Sequence, residues 1–186
     1  MTEDKERLLD IRYLRMAKIW AENSYAIRRK VGCIVVKDNM IISDGYNGTP
    51  SGFDNECETV SCNLEKETNM CLKYPKSCHY MYISVVKNLN NCKGCGYAKL
   101  ETKPYVLHAE ANAITKLAKT NNSSVGATIY VTLSPCLECA KLIVQSGIKR
   151  VVYMEEYRIT DGIDFLRAVG VALTHISEEE VMNYEN

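Results

Sequence analysis

The sequence carries no net charge, no long hydrophobic run and only three histidines, His79, His108 and His175. Each shortage excludes something. Twenty-three Lys and Arg are offset by twenty-three Asp and Glu, so the bulk positive field that coats nucleic acid or an anionic membrane is missing. Apolar runs such as Cys33–Val36 fall far short of the ~20 residues a membrane helix needs. The first residues, Met-Thr-Glu-Asp-Lys-Glu, are charged and lack the apolar stretch of a secretory leader, so a cytoplasmic location is expected. A hydrophobic content of 46% excludes a disordered chain. What is abundant is cysteine: nine, at positions 33, 57, 62, 71, 78, 92, 95, 136 and 139. An odd count without a leader reads as thiols and metal ligands before it reads as a disulfide framework. At 186 residues one domain is expected, since domains run to roughly 100–200 residues.

The local patterns predict an α/β protein. Leu9, Tyr13, Met16, Ala17 and Trp20 recur at helical spacing within a predicted helix from about Lys5 to Glu22. Val31–Lys37 and Met40–Tyr46 are rich in β-branched residues, and Asp38-Asn39 between them predicts a tight antiparallel hairpin. Gly45 to Gly52 is a turn-rich loop. From about 54 to 103 the period disappears and Cys, Asn, Lys and Tyr dominate, which reads as an insertion ordered by something other than an apolar core. Regular structure returns with a helix at Ala109–Lys119, a strand at Thr128–Leu133, and a helix opened by Ser134 as N-cap and Pro135 and closed by Gly147. A strand at Arg150–Met154, a helix at Asp164–Val169, a strand at Val171–Ile176 and a short helix at Glu178–Tyr184 complete the pattern. A hairpin followed by alternating helices and strands gives a three-layer α/β/α sandwich around a mixed five-stranded sheet. Its 128–154 unit is expected to be a parallel, right-handed crossover. The whole chain, 1–186, is then a single domain with a cysteine-rich insertion.

Two short motifs carry chemistry. His108-Ala109-Glu110 opens one predicted helix and Pro135-Cys136-Leu137-Glu138-Cys139 opens another, with one strand between them. Cys136 and Cys139, three apart, share one face of a first helical turn, where the positive end of the helix dipole favours thiolates. His108 adds a neutral nitrogen. Three protein ligands leave a fourth tetrahedral position for water, the arrangement of a catalytic zinc. Two thiolates offset the charge of Zn²⁺, so the water is less acidified than in an all-histidine site and a proton shuttle becomes useful; Glu110 is placed to be it. A redox Cys pair and a closed site completed by a cysteine of the insertion are the competing readings. The paired motifs match the His-x-Glu…Pro-Cys-x-x-Cys signature of zinc-dependent nucleobase deaminases.

Beyond that signature the chain resembles the deoxycytidylate (dCMP) deaminases over nearly its whole length outside the insertion. The resemblance rests on Val31 to Asp38, on Ile41 to Gly52 with its Gly45-Tyr46-Asn47-Gly48-Thr49-Pro50 loop, and on His108 to Ile114. It continues through Tyr130 to Cys139 and Gly147 to Tyr153. It implies a cytidine-deaminase-like fold and hydrolysis of dCMP to dUMP and ammonia, feeding thymidylate synthesis. It also implies a homo-oligomer, typically a hexamer, activated by dCTP and inhibited by dTTP as magnesium complexes. No membrane and no nucleic acid enter as partners. Asn47 is expected to bind the deoxyribose hydroxyl, and the backbone around Ala109 and Ser134 the amide edge of cytosine. Arg28, Arg29, Lys30 and Arg158 are the cations available to the 5′-phosphate, with Arg28 and the Tyr157 hydroxyl the chosen contacts. Tyr46, Gly48, Lys116 and Lys119 are candidate effector contacts. Some larger members carry a second, structural zinc in the insertion, for which Cys57, Cys78, His79, Cys92 and Cys95 are candidates. Cys33 and Tyr153 read as strand core and His175 as an ordinary partly buried histidine. The alternatives are a deaminase of dCTP or CMP, a nucleic-acid editing deaminase, which would bring a basic surface and stacking aromatics, and a catalytically dead regulatory protein.

Overall fold

Asp38 and Asn39 both adopt positive φ, 50° and 61°, as a two-residue type I′ hairpin requires. They join β1 (Gly32–Lys37) to β2 (Met40–Tyr46) in the structure, a computed structural model that describes residues 3–62 and 98–184. On its other edge β1 pairs antiparallel with β5 (Thr128–Leu133). From there the sheet runs parallel through β6 (Arg150–Glu155) to β7 (Ala172–His175), in the order β2-β1-β5-β6-β7. The mixed five-stranded sheet is thus as the pattern predicts.

Helices cover both faces. On one face Ile11, Leu14 and Ala17 of α1 (Glu3–Ala21) and Val181 of α5 (Glu178–Asn183) pack on Ile34, Tyr130 and Val152. On the other, α2 (Ala109–Leu117), α3 (Leu137–Gln145) and α4 (Asp161–Ala168) bury Ala113, Ile143 and Leu166 against Cys33, Val131 and Val151. The apolar stripe expected on α1 is displaced. Met16 and Trp20 are exposed, and Trp20 Nε1 donates to Asp44 Oδ1 at 2.7 Å, so it serves a surface contact. Helix α4 begins three residues earlier than the pattern suggests, because Gly162 in its first turn looks like a breaker in sequence.

Two short strands lie where the sequence showed no period. β3 (Glu58–Cys62) and β4 (Ala98–Thr102) pair antiparallel, with Glu58 opposite Thr102, in a separate two-stranded sheet. Five polar-rich residues each, separated by a long segment, give no readable alternation.

A buried polar network ties α1 to the sheet. Asp10, 2% exposed, accepts from Arg150 Nη1 at 2.8 Å, from Arg150 Nη2 at 2.6 Å and from the Tyr130 hydroxyl at 2.8 Å. Asp10→Ala leaves Arg150 without its bidentate partner, and breaking such a pair costs about 3 kcal/mol. Denaturant unfolding should report a loss of that size; a loss under about 1 kcal/mol would mean that the pair behaves as a surface ion pair.

Candidate active site

The site forms where two helix N-termini meet over the carboxyl ends of β5 and β6. His108 is the N-cap of α2 and Cys136 the N-cap of α3. Neither side chain caps its own helix, so both are free to turn toward a shared point. The helices get close because two glycines give way. A Cβ on Gly45 would lie 2.1 Å from the Ala109 carbonyl oxygen, which lets α2 rest directly on β2. A Cβ on Gly162 would lie 2.1 Å from the Pro135 carbonyl oxygen, so α4 seats the loop that carries Cys136. Gly162→Ala must push that loop aside. Overpacking of this kind costs about 2 kcal/mol, or roughly 4–8 °C in Tm for a chain of this size, and should also weaken metal retention; thermal melts and metal analysis would read both.

Ser134 takes another role than the expected cap. The helix starts at Leu137, and the Ser134 hydroxyl instead accepts a hydrogen bond from the Tyr157 backbone N–H at 2.7 Å. Ser134 N–H donates to the Glu155 carbonyl at 2.8 Å. Those two bonds fasten the segment after β6 over the site.

The three ligand atoms converge. Cys136 Sγ and Cys139 Sγ each lie 3.4 Å from His108 Nδ1, and all three atoms fall within 4.8 Å of one another. A tetrahedral zinc with ordinary Zn–S and Zn–N bonds sets an S···N edge of about 3.5 Å, so the donor set fits the ion. The electrostatics agree. A hydrogen bond from Cys139, helped by His108, lowers the Cys136 pKa to about 3. The same bond, together with burial, pushes Cys139 up, and the bond to Cys136 raises His108. A divalent cation at this point displaces the Cys139 proton. Glu110, in the first turn of α2, is 4% exposed. Burial raises its pKa, opposed by its own backbone N–H, by the charge of His108 and by a hydrogen bond with Cys139.

His108, Glu110 and Cys136 line a pocket of about 360 Å³. Arg28, Arg29 and Arg158 line the same cavity, as do Asn47, Ala109, Ser134 and Tyr157. Of the residues considered from sequence for the substrate, all but Lys30 therefore line one cavity.

The family model for the cytidine and deoxycytidylate deaminase zinc-binding region matches residues 8–155. The chain belongs to this family. It is 33% identical to the deoxycytidylate deaminase of Enterobacteria phage T4 across 93% of each chain. It is 34% identical to that of Mycobacterium phage D29 across 77% of this chain and 92% of that one. Among solved structures it resembles the dCMP deaminase of cyanophage S-TIM5 in complex with dCMP and dUMP, with 36% identity, a TM-score of 0.66, and coverage of 95% of this chain and 99% of that one.

In this deaminase the Asn47 amide already has work to do. Its Oδ1 accepts from Val31 N–H at 2.8 Å and its Nδ2 donates to the Arg29 carbonyl at 2.9 Å. Each end keeps one further hydrogen-bonding position. Arg29 is ion-paired with Glu155, whereas Arg28 meets a neutral Thr102 hydroxyl. Glu58 and Thr102 also line the cavity and were missed in sequence, because strands β3 and β4 were missed.

The expected effector residues lie elsewhere. Lys116 Nζ is 2.6 Å from Asp44 Oδ1 and 5.8 Å from the centre of the Tyr46 ring, and Gly48 bridges Leu107; neither these nor Lys119 line the pocket. Cys33 and Tyr153 are core, as expected, and His175 stacks on Tyr153 and contacts the Met154 carbonyl. Of the second metal's candidate ligands, Cys78, His79, Cys92 and Cys95 lie outside the described residues, and Cys57 is a buried free thiol. Among the described residues His108, Cys136 and Cys139 are the one group placed to hold a metal.

Proposed function

We propose that the protein hydrolyses dCMP to dUMP and ammonia. The observation that carries this reading is one cavity lined by His108 and Cys136 of a zinc-type triad, by the buried Glu110 carboxylate and by three arginines. A pocket of about 360 Å³ belongs to the range of small-ligand sites, about 300–1,000 Å³, and suits a nucleotide monomer.

His108, Cys136 and Cys139 would hold zinc, which when bound supplies Lewis-acid activation of water. The chain's own residues do the rest. Glu110 takes a proton from the water as its oxygen bonds to C4 of cytosine, and delivers it to N3. It then takes the remaining water proton from the new C4 hydroxyl and passes it to the exocyclic amine, so that the C4–N4 bond breaks, ammonia leaves and C4 becomes a carbonyl. Unpaired N–H groups at the start of α2, and the backbone at Ser134, orient the base edge. Asn47 offers its remaining amide positions to the deoxyribose hydroxyl, and Arg28 with the Tyr157 hydroxyl meets the phosphate. Turnover of dCMP in oxygen-18 water should place one labelled oxygen on the base of each dUMP. Unlabelled dUMP would refute hydrolysis at C4.

Family membership extends the proposal. It covers regulation by dCTP and dTTP with magnesium around Tyr46, Gly48, Lys116 and Lys119, a homo-oligomer of hexamer type, and work in the cytoplasm. A triphosphate at Lys116 has to compete with Asp44. A structural zinc in the cysteine-rich segment, with Cys57, Cys78, His79, Cys92 and Cys95 as candidate ligands, belongs to the same proposal.

A further inference from the structure

The pocket for an anionic substrate contains a carboxylate that the reaction does not use. Glu58 lines the cavity and is 7% exposed. A bare carboxylate there would repel a phosphate and would be costly to bury. Its hydrogen bonds show what it does instead. Ile27 N–H donates to both carboxylate oxygens at 3.1 Å, and Arg28 N–H donates to Oε1 at 3.2 Å. Across the two-stranded sheet, Thr102 is the register partner of Glu58, and its Oγ1 accepts from Arg28 Nη1 at 3.2 Å.

One pair of facing residues therefore holds Arg28 at both ends, the backbone through Glu58 and the guanidinium through Thr102. Arg28 needs such support. It lies between α1 and β1, outside any regular element, and its side chain is exposed. A free arginine loses about 2 kcal/mol of rotamer entropy when it is fixed. Thr102 occupies one of its five N–H groups, leaving the others for a phosphate.

We propose that Glu58 and Thr102 are positioning residues that fix Arg28 over the pocket to recognise the substrate's 5′-phosphate. This rests on the dCMP reading above. It assigns to the β3–β4 sheet a part in choosing a nucleotide over a nucleoside.

The test is the ratio of kcat/KM for dCMP to that for deoxycytidine, which lacks the phosphate. Arg28→Ala should lower the ratio about 30-fold, as expected for loss of a charged hydrogen bond. Glu58→Gln should lower it about tenfold and Thr102→Val about threefold, since each loosens the arginine without removing it. The discriminating arm is the double variant Glu58→Gln/Arg28→Ala, whose ratio should match that of Arg28→Ala within about twofold, because the two act through one contact. A merely structural Glu58 would lower turnover of both substrates alike, or act independently of Arg28, and either result overturns the proposal. Thr102 is exposed, so Thr102→Val carries the test should the Glu58 variant fail to fold. A high native ratio untouched by Glu58→Gln and Thr102→Val overturns this proposal alone; a native ratio near one overturns the dCMP reading and this proposal with it.

Discussion

Glu110→Gln should retain zinc and lose turnover of dCMP by about 10³–10⁴-fold. The substitution is nearly isosteric, and the side chain sits buried in the first turn of α2, so the fold and the three ligands are left in place. What goes is the one buried carboxylate that, among the described residues, lies beside the ligands and can accept a proton from water and return it to the base. The loss corresponds to about 4–5.5 kcal/mol of transition-state stabilisation. It should appear in kcat with little change in KM, because Glu110 acts on atoms that move rather than on the sugar or phosphate. Ammonia release and metal analysis on the same sample separate the two functions. Turnover within tenfold of native would remove Glu110 from the proton path; loss of zinc along with turnover would make its role structural.

Removing one thiolate should be as damaging by a different route. Cys136→Ser replaces a ligand that its neighbours hold as the anion, with a pKa of about 3, by a hydroxyl that keeps its proton at neutral pH. Changes that only touch a ligand's supporting contacts cost 10–100-fold in metal affinity, so the loss of a ligand itself should exceed about 100-fold. The variant should be purified without its catalytic zinc and show no turnover. Chelation of the native protein should do the same, and added zinc should restore it. Stability falls as well. At free zinc about 1,000 times Kd, binding contributes about 4 kcal/mol, or roughly 8–16 °C in Tm for a chain of this size. A Cys136→Ser variant with native activity would contradict the assignment of the metal centre.

How much of this was legible in the sequence depended on distance along the chain. The hairpin at Asp38-Asn39 and the helix end at Gly147 are local signals, set by backbone conformations that few residues tolerate. The motifs at 108–110 and 136–139 were legible because each places its two functional side chains within one helical turn. Glu58 and Thr102 were not, because their meaning lies in a register between strands some forty residues apart and in a loop that neither strand adjoins. Ser134 was misread for a related reason. Serine before proline at a helix start is a good cap by propensity, but here the hydroxyl is claimed by Tyr157, a contact that exists only once β5 and β6 lie side by side. On α1, helical spacing identified the helix but selected a partly wrong face, since Trp20 is drawn outward by Asp44.

The most direct test of the account is a single comparison of ammonia release by the zinc-loaded native protein from dCMP, CMP, dCTP, deoxycytidine and a deoxycytidine-containing oligonucleotide. The cavity and its arginines predict the highest kcat/KM for dCMP, by at least about tenfold over each of the others, the scale on which buried contacts discriminate. Absence of dCMP turnover, or preference for the oligonucleotide, would contradict it.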